Sequence, residues 1–204
     1  MLRLIEGVER HRSGLDVWRF VVLTDYPPHP CFETIQVNAK LLPGWWSKMY
    51  LFDREGLGAD YRNDRLIYID LDTVICGPVE PLSLWDGDFG ICQNFTRLRG
   101  HHTWPCNYGS CVMSLAPRWG QHIWEAFKRD HTQIMIDNPK GDQQAIEALA
   151  PGAIYLQDVM PKDYFLHYRD MVNHKPEGTS VVVFGGHHTP ANNSMKWVGE
   201  EWRV

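Results

Sequence analysis

The sequence predicts an α/β fold, a mixed sheet flanked by helices, in a single domain spanning residues 1–204. Three observations lead there. Short runs rich in β-branched and aromatic residues alternate with helical periodicities along the chain. Its 204 residues are enough for one well-buried core and short for two. No internal repeat, low-complexity segment or linker-like stretch divides it.

Taken in order, Leu2, Ile5 and Val8 fall at helical spacing, so residues 2–12 form an amphipathic helix that Gly14 ends. Val17 to Leu23 reads as a strand closing on Thr24-Asp25, Tyr26 to Pro30 as a loop, and Thr34 to Val37 as a weak strand. Leu41-Leu-Pro-Gly44 breaks the chain before a Trp-rich helix over 45–52, in which Trp45, Met49 and Phe52 share one face. Arg65 to Asp70 is a short strand read as buried on both faces. Phe89 to Gln93 is another, after the turn-like Trp85 to Asp88, and residues 95–108 form a loop. A strand over 109–115 leads to a helix starting near Pro117, with Ile123, Trp124 and Phe127 on its apolar face. A shorter helix covers 142–149 with Asp142 as its N-cap. Strands at 153–156 and 180–184 complete the set, and the latter runs into Gly185-Gly-His187-His188.

Composition excludes several function classes. The formal charge of −5 argues against a nucleic-acid partner, which needs a basic stripe. No apolar run approaches the length of a membrane span, and the N-terminus has no signal-peptide core. Five cysteines with no Cys-x-x-Cys pattern read as reduced thiols in a cytoplasmic setting. His101, His102 and Cys106 invite a zinc reading, but adjacent histidines rarely point at one metal and no fourth ligand has suitable spacing.

The chemistry concentrates at Asp70-Leu71-Asp72, where a short strand ends. Ligands of open α/β sheets bind beyond the carboxyl ends of strands. Two carboxylates there repel each other unless they share a cation, and hard oxygen ligands suit Mg²⁺ or Mn²⁺ beside a phosphate. The alternative is a solvated acidic turn. A phosphatase of the haloacid-dehalogenase type uses a similar phrase, but Val74 stands where that pattern requires Thr. Lys48, early in the Trp-rich helix, faces either a phosphate or solvent.

Several pieces in order resemble one family. They are Thr24-Asp25, Gly44-Trp-Trp-Ser-Lys48, Tyr68-Ile-Asp70-Leu-Asp72-Thr73, Asn107-Tyr-Gly-Ser110-Cys-Val-Met113, Gly141-Asp142-Gln143, and the strand ending in Val183-Phe184-Gly-Gly186. The succession, over nearly the whole chain, is similar to the GT-A (Rossmann-like) glycosyltransferases, and most to bacterial relatives of glycosyltransferase family 8. The resemblance implies a metal-dependent transfer of a sugar from a nucleotide diphosphate, UDP first, to a hydroxyl acceptor such as a glycan, with retention. Asp70 and Asp72 would hold Mn²⁺ or Mg²⁺ against the donor diphosphate, and Lys48 would neutralise phosphate charge. Asn107 and Ser110 would line the sugar pocket. Asp142 and Gln143 would approach the transferred sugar.

Two positions depart from the family pattern. Relatives open with a strand and a Tyr-containing loop that hold the nucleotide base, whereas this chain starts at the helix that follows, so the usual first strand is expected to be lacking. Relatives also carry a His-Gly pair after the last strand, and Gly185-Gly186 stands there, leaving His187 or His188 as the substitute metal ligand. These departures support a second reading, a degenerate transferase that binds carbohydrate or nucleotide without turnover.

Overall fold

The computed structural model describes residues 1–14, 18–30, 32–38, 40–171, 173–185 and 188–202. Helix α1 (Leu2–His11) is followed by β1 (Val21–Thr24) and β2 (Glu33–Gln36), a parallel pair. A 3₁₀ helix (Gly44–Phe52) and the short α2 (Ala59–Arg62) lead into β3 (Leu66–Ile69) and β4 (Thr73–Ile75). Next come α3 (Glu80–Leu84), β5 (Phe89–Gln93), α4 (Phe95–Leu98) and β6 (Tyr108–Leu115). The helices α5 (Gln121–Arg129), α6 (His131–Asp137) and α7 (Asp142–Leu149) follow. The chain closes with β7 (Ile154–Tyr155), α8 (Leu156–Val159), β8 (Phe165–His167), β9 (Val181–Val183) and α9 (Lys196–Glu201).

The mixed α/β character is as expected, and its ladders divide into separate sheets. One has the order β3-β6-β5-β7, antiparallel except for the parallel β5/β7 pair. Another has the order β4-β9-β8, with β9 antiparallel to β4 and parallel to β8. The first sheet packs its core against the 3₁₀ helix, α5 and α7, through Phe52, Ile91, Met113, Ile123, Phe127 and Ile146. A second core joins α1 to the other sheet through Val8, Ile75, Val181 and Val183. Trp197, Val198 and Trp202 cover the far face of β4 and β9. Among the described residues, no helix is long and apolar enough to cross a membrane.

Several elements differ from their sequence expectations for identifiable reasons. β3 is half-buried, not buried on both faces, because among the described residues it is an edge strand with β6 as its one ladder neighbour. The strand expected over 17–23 narrows to Val21–Thr24, with Val17 outside the described residues. Pro117 precedes the helix in a turn, and Gly120, at φ +102°, starts α5 instead. The loop over 95–108 includes α4, which Asn94 caps by accepting the Thr96 amide at 2.9 Å.

The helix over 44–52 differs most usefully. An α-helical period would place Trp45, Met49 and Phe52 together, but a 3₁₀ turn brings residues three apart into line. The buried edge is therefore Trp46, Met49 and Phe52, exposed by 8%, 0% and 0%. Trp45 moves to the edge that also carries Lys48 and is 59% exposed. The Ser47 hydroxyl donates to the Gly44 carbonyl at 2.8 Å, a local bond that competes with regular helix pairing.

This register has a direct test in equilibrium urea unfolding. Trp46, stacked on Phe127 with centroids 6.0 Å apart, should lose about 3–5 kcal/mol on replacement by Ala. Trp45→Ala should stay within about 0.5 kcal/mol of the parent. The reverse order would show an α-helical register.

Candidate active site

β3 delivers Asp70 to its position. Residues two apart on a strand share a face, so Tyr68 and Asp70 point the same way. The Tyr68 hydroxyl donates to Asp70 Oδ1 at 2.6 Å. The Asp70 amide donates to the Cys111 carbonyl at 2.9 Å, extending the β3/β6 ladder by one residue. The chain then turns, with the Thr73 amide donating to the Asp70 carbonyl at 3.1 Å, and enters β4 in the other sheet. Leu71 and Asp72 form the tip of this link between sheets.

Lys48 gathers the site. Its Nζ lies 2.9 Å from Asp70 Oδ1 and 3.1 Å from Oδ2. It also lies 3.2 Å from Ser110 Oγ, 3.4 Å from the Ser110 carbonyl and 3.7 Å from Asp142 Oδ2. The Tyr68 ring is 5.4 Å from the same nitrogen. Burial disfavours this ammonium, but the charges of Asp70 and then Asp142 outweigh that, and its pKa ends above the ordinary value. Lys48 is therefore a fixed cation. Tyr68 is pushed well above the usual phenol range, first by burial and then by the Asp70 charge, so its hydroxyl stays a donor.

Ser110 reaches Lys48 because β6 bulges. Ile91 of β5 pairs with Met113, but the next residue, Cys92, pairs with Gly109, leaving Ser110 to Val112 outside the β5 register. Such bulges re-aim side chains. Asp142 arrives from the start of α7. It is not the N-cap: Gly141 holds that position at φ +96°, and Asp142 is 4% exposed. Its carboxyl is raised by burial, against the lowering effects of Lys48 and of a hydrogen bond with Ser110. Its Oδ2 has no hydrogen-bond partner among the described residues.

Of the residues singled out in the sequence, the structure thus brings together Lys48, Asp70, Ser110 and Asp142. Gln143 follows Asp142 on α7, half-buried. Asn107 is held by Glu147 of α7, whose carboxylate accepts its backbone amide at 2.7 Å and its side-chain amide at 2.5 Å. His187 lies outside the described residues. His188 is exposed and stacks on Tyr168 at 4.6 Å. Tyr68 was given no role in the sequence, although the strand alternation that aligns it with Asp70 was there to read.

Asp72 has no ion-pair partner among the described residues. Burial and then the Asp70 charge push its carboxyl up to about 6. Two adjoining carboxylates, one of them resisting ionisation, are a hard-oxygen donor set that fits a divalent cation. Among the described residues, no third His, Cys, Asp or Glu completes a three-ligand group with them. Open cavities of about 460 Å³, walled by Cys76, Tyr164 and Lys175, and about 420 Å³, walled by Leu41, Trp46 and Met135, lie away from these carboxylates.

The raised Asp72 carboxyl has a stability signature. Between the ordinary value of 3.8 and about 6, the folded chain keeps a proton that the unfolded chain has lost, so stability falls as pH rises through that window. Asp72→Asn removes the penalty. Discounted for partial exposure, the variant should be roughly 1 kcal/mol more stable than the parent at neutral pH. The advantage should vanish below about pH 4. Thermal melts across this range check both sign and window.

No protein-family model matches this sequence, and no curated protein matches it either. Solved structures do resemble it in fold. The galactosyltransferase LgtC, crystallised with donor and acceptor sugar analogs, has 15% sequence identity and a TM-score of 0.66, over 98% of this chain and 88% of LgtC. An active-site mutant of LgtC gives the same figures. The apo form of the glycosyltransferase GlyE of Streptococcus pneumoniae TIGR4 has 15% identity and a TM-score of 0.60, over 100% of this chain and 57% of GlyE. The chain has the fold of these glycosyltransferases.

Proposed function

We propose that this chain is a glycosyltransferase that moves a sugar from a nucleotide diphosphate, UDP first, to a hydroxyl acceptor with retention at the anomeric carbon. The observation that carries this reading is the convergence of Lys48, Asp70 and Asp142 beside Asp72, on a fold shared with LgtC and GlyE. Sugar transfer needs stabilisation of a leaving diphosphate and a polar group beside the transferred ring. The cluster offers both in one place.

Asp70 and Asp72 would hold Mn²⁺ or Mg²⁺, which supplies positive charge to the departing diphosphate when bound. Lys48 spends its hydrogen bonds on Asp70 and Ser110, so it serves the reaction through its charge and by fixing the two carboxylates. Tyr68 and Lys48 together orient Asp70, leaving one carboxylate geometry available to a ligand. Asp142, buried, with an Oδ2 that is paired to the Lys48 charge at 3.7 Å and has no hydrogen-bond partner among the described residues, would accept a hydrogen bond from a hydroxyl of the transferred sugar. Gln143 adjoins it. Asn107 acts at one remove, tying the start of β6 to α7 through Glu147.

Thermal stabilisation of the chain by UDP, GDP and CMP, each with and without Mn²⁺, tests this reading. A ligand at a hundred times its Kd stabilises the native state by about 2.7 kcal/mol, which is roughly 5–10 °C for a chain of this size. UDP should give that shift only when Mn²⁺ is present, and Asp72→Ala should abolish it. An unchanged Mn²⁺-dependent UDP shift in that variant removes Asp72 from the metal site. No shift with any nucleotide refutes the transferase reading. The anomeric signal of a product formed from a UDP-hexose then distinguishes retention from inversion.

A further inference from the structure

Trp45 is an anomaly in an otherwise economical helix. Its neighbour Trp46 is buried and stacked, yet Trp45 leaves 59% of its surface in water. Since 3₁₀ residues three apart eclipse, Trp45 stands one turn from Lys48 on the same edge. Its indole also lies against Gly141: a Cβ built at that glycine would come within 2.4 Å of the indole nitrogen. The backbone immediately before Asp142 is thus covered by an exposed aromatic ring. On the same segment, Lys140 Nζ sits 5.4 Å from the centroid of Trp104.

A second observation points to a ligand. Asp142 Oδ2 is buried and, among the described residues, has no hydrogen-bond partner, only the charge of Lys48 3.7 Å away. A flat apolar surface against Gly141, one residue from a carboxylate that lacks a hydrogen bond, suits a molecule with an apolar face and donors on its rim. A pyranose ring has that form. Its axial C–H groups carry slight positive charge and meet the negative face of an indole, while its hydroxyls donate. A nucleobase would use the indole but offers fewer donors to a carboxylate, and a diphosphate would be repelled by it.

We propose that Trp45 is the platform on which a pyranose ring stacks beside Asp142. The inference rests on the sugar-transferring reading of the site and names the residue that selects the ring. The ring belongs to either the donor hexose or the acceptor glycan, and the two sources separate experimentally.

The test is calorimetric titration of the full chain with Mn²⁺ present. The ligands are UDP, UDP-glucose, UDP-galactose, methyl β-D-glucopyranoside and methyl β-D-galactopyranoside. Trp45→Ala should weaken binding of the pyranose ligands about tenfold, equivalent to about 1.4 kcal/mol, and leave UDP unchanged. Trp45→Phe, which keeps an aromatic face, should recover most of the loss. Loss confined to the UDP-hexoses assigns the donor ring, and loss confined to the methyl glycosides assigns the acceptor ring. Equal affinity of the parent and Trp45→Ala for every pyranose ligand overturns the proposal. So does an equal loss for UDP itself, which would mark a nucleobase platform, or a parent chain that binds no pyranose. A parent that ignores UDP but loses methyl glycoside binding on Trp45→Ala keeps the platform and refutes the transferase reading instead.

Discussion

The ammonium of Lys48, held between Asp70 and Asp142, is the contact on which the site depends. It fastens three distant pieces of chain: a 3₁₀ helix, the end of an edge strand and the first residue of a helix. Each carboxylate alone would be costly to bury, and together they would repel. With Lys48 between them they become a fixed pair. Their separation is set by one nitrogen, and Ser110 adds a neutral contact that steadies it. Removing the ammonium would leave two charges facing each other, one of them on the buried Asp142.

The surrounding fold exists in large part to bring those pieces into register. The bulge in β6 turns Ser110 toward Lys48, and the ladder bond from Asp70 to Cys111 fixes the height of the first carboxylate. α7 lies against both β6 and the 3₁₀ helix, so Asp142 approaches from a third direction. Glu147 on the same helix ties down Asn107 at the entry to β6. The charged cluster is supported on each side by elements whose own cores are apolar and closely packed.

Much of this was legible in the amino-acid order, and the failures have physical causes. Phe89 to Gln93 and the strand ending at Leu115 were plain because buried strands read as short apolar runs. Asp70 was legible because an acidic residue closing an apolar run must either face water or find a cation. The Trp-rich helix misled because its period is three residues: a single step in helical type exchanges Trp45 for Trp46 at the core. Asp142 read as a cap from its place ahead of a helix, and only Gly141, with its positive φ, frees that carboxylate to turn inward. The resemblance put Asn107 at the sugar pocket, but its tie to Glu147 was not legible, since that partner lies 40 residues away on another element. Tyr68 is the instructive omission, because a two-residue spacing on a strand was sufficient to pair it with Asp70.

The turn carrying Leu71 and Asp72 gives the site one more property. Asp70 is anchored in the sheet that contains β6, while Thr73, just after Asp72, already belongs to the ladder with β9. The two sheets share one apolar core, in which Ile75, Val181 and Val183 pack with Cys92 and Val112. Both aspartates therefore sit on a short bend pinned at each end by a ladder and beneath by that core. A ligand that grips both would find a bite whose span is preset by the turn, not assembled on binding.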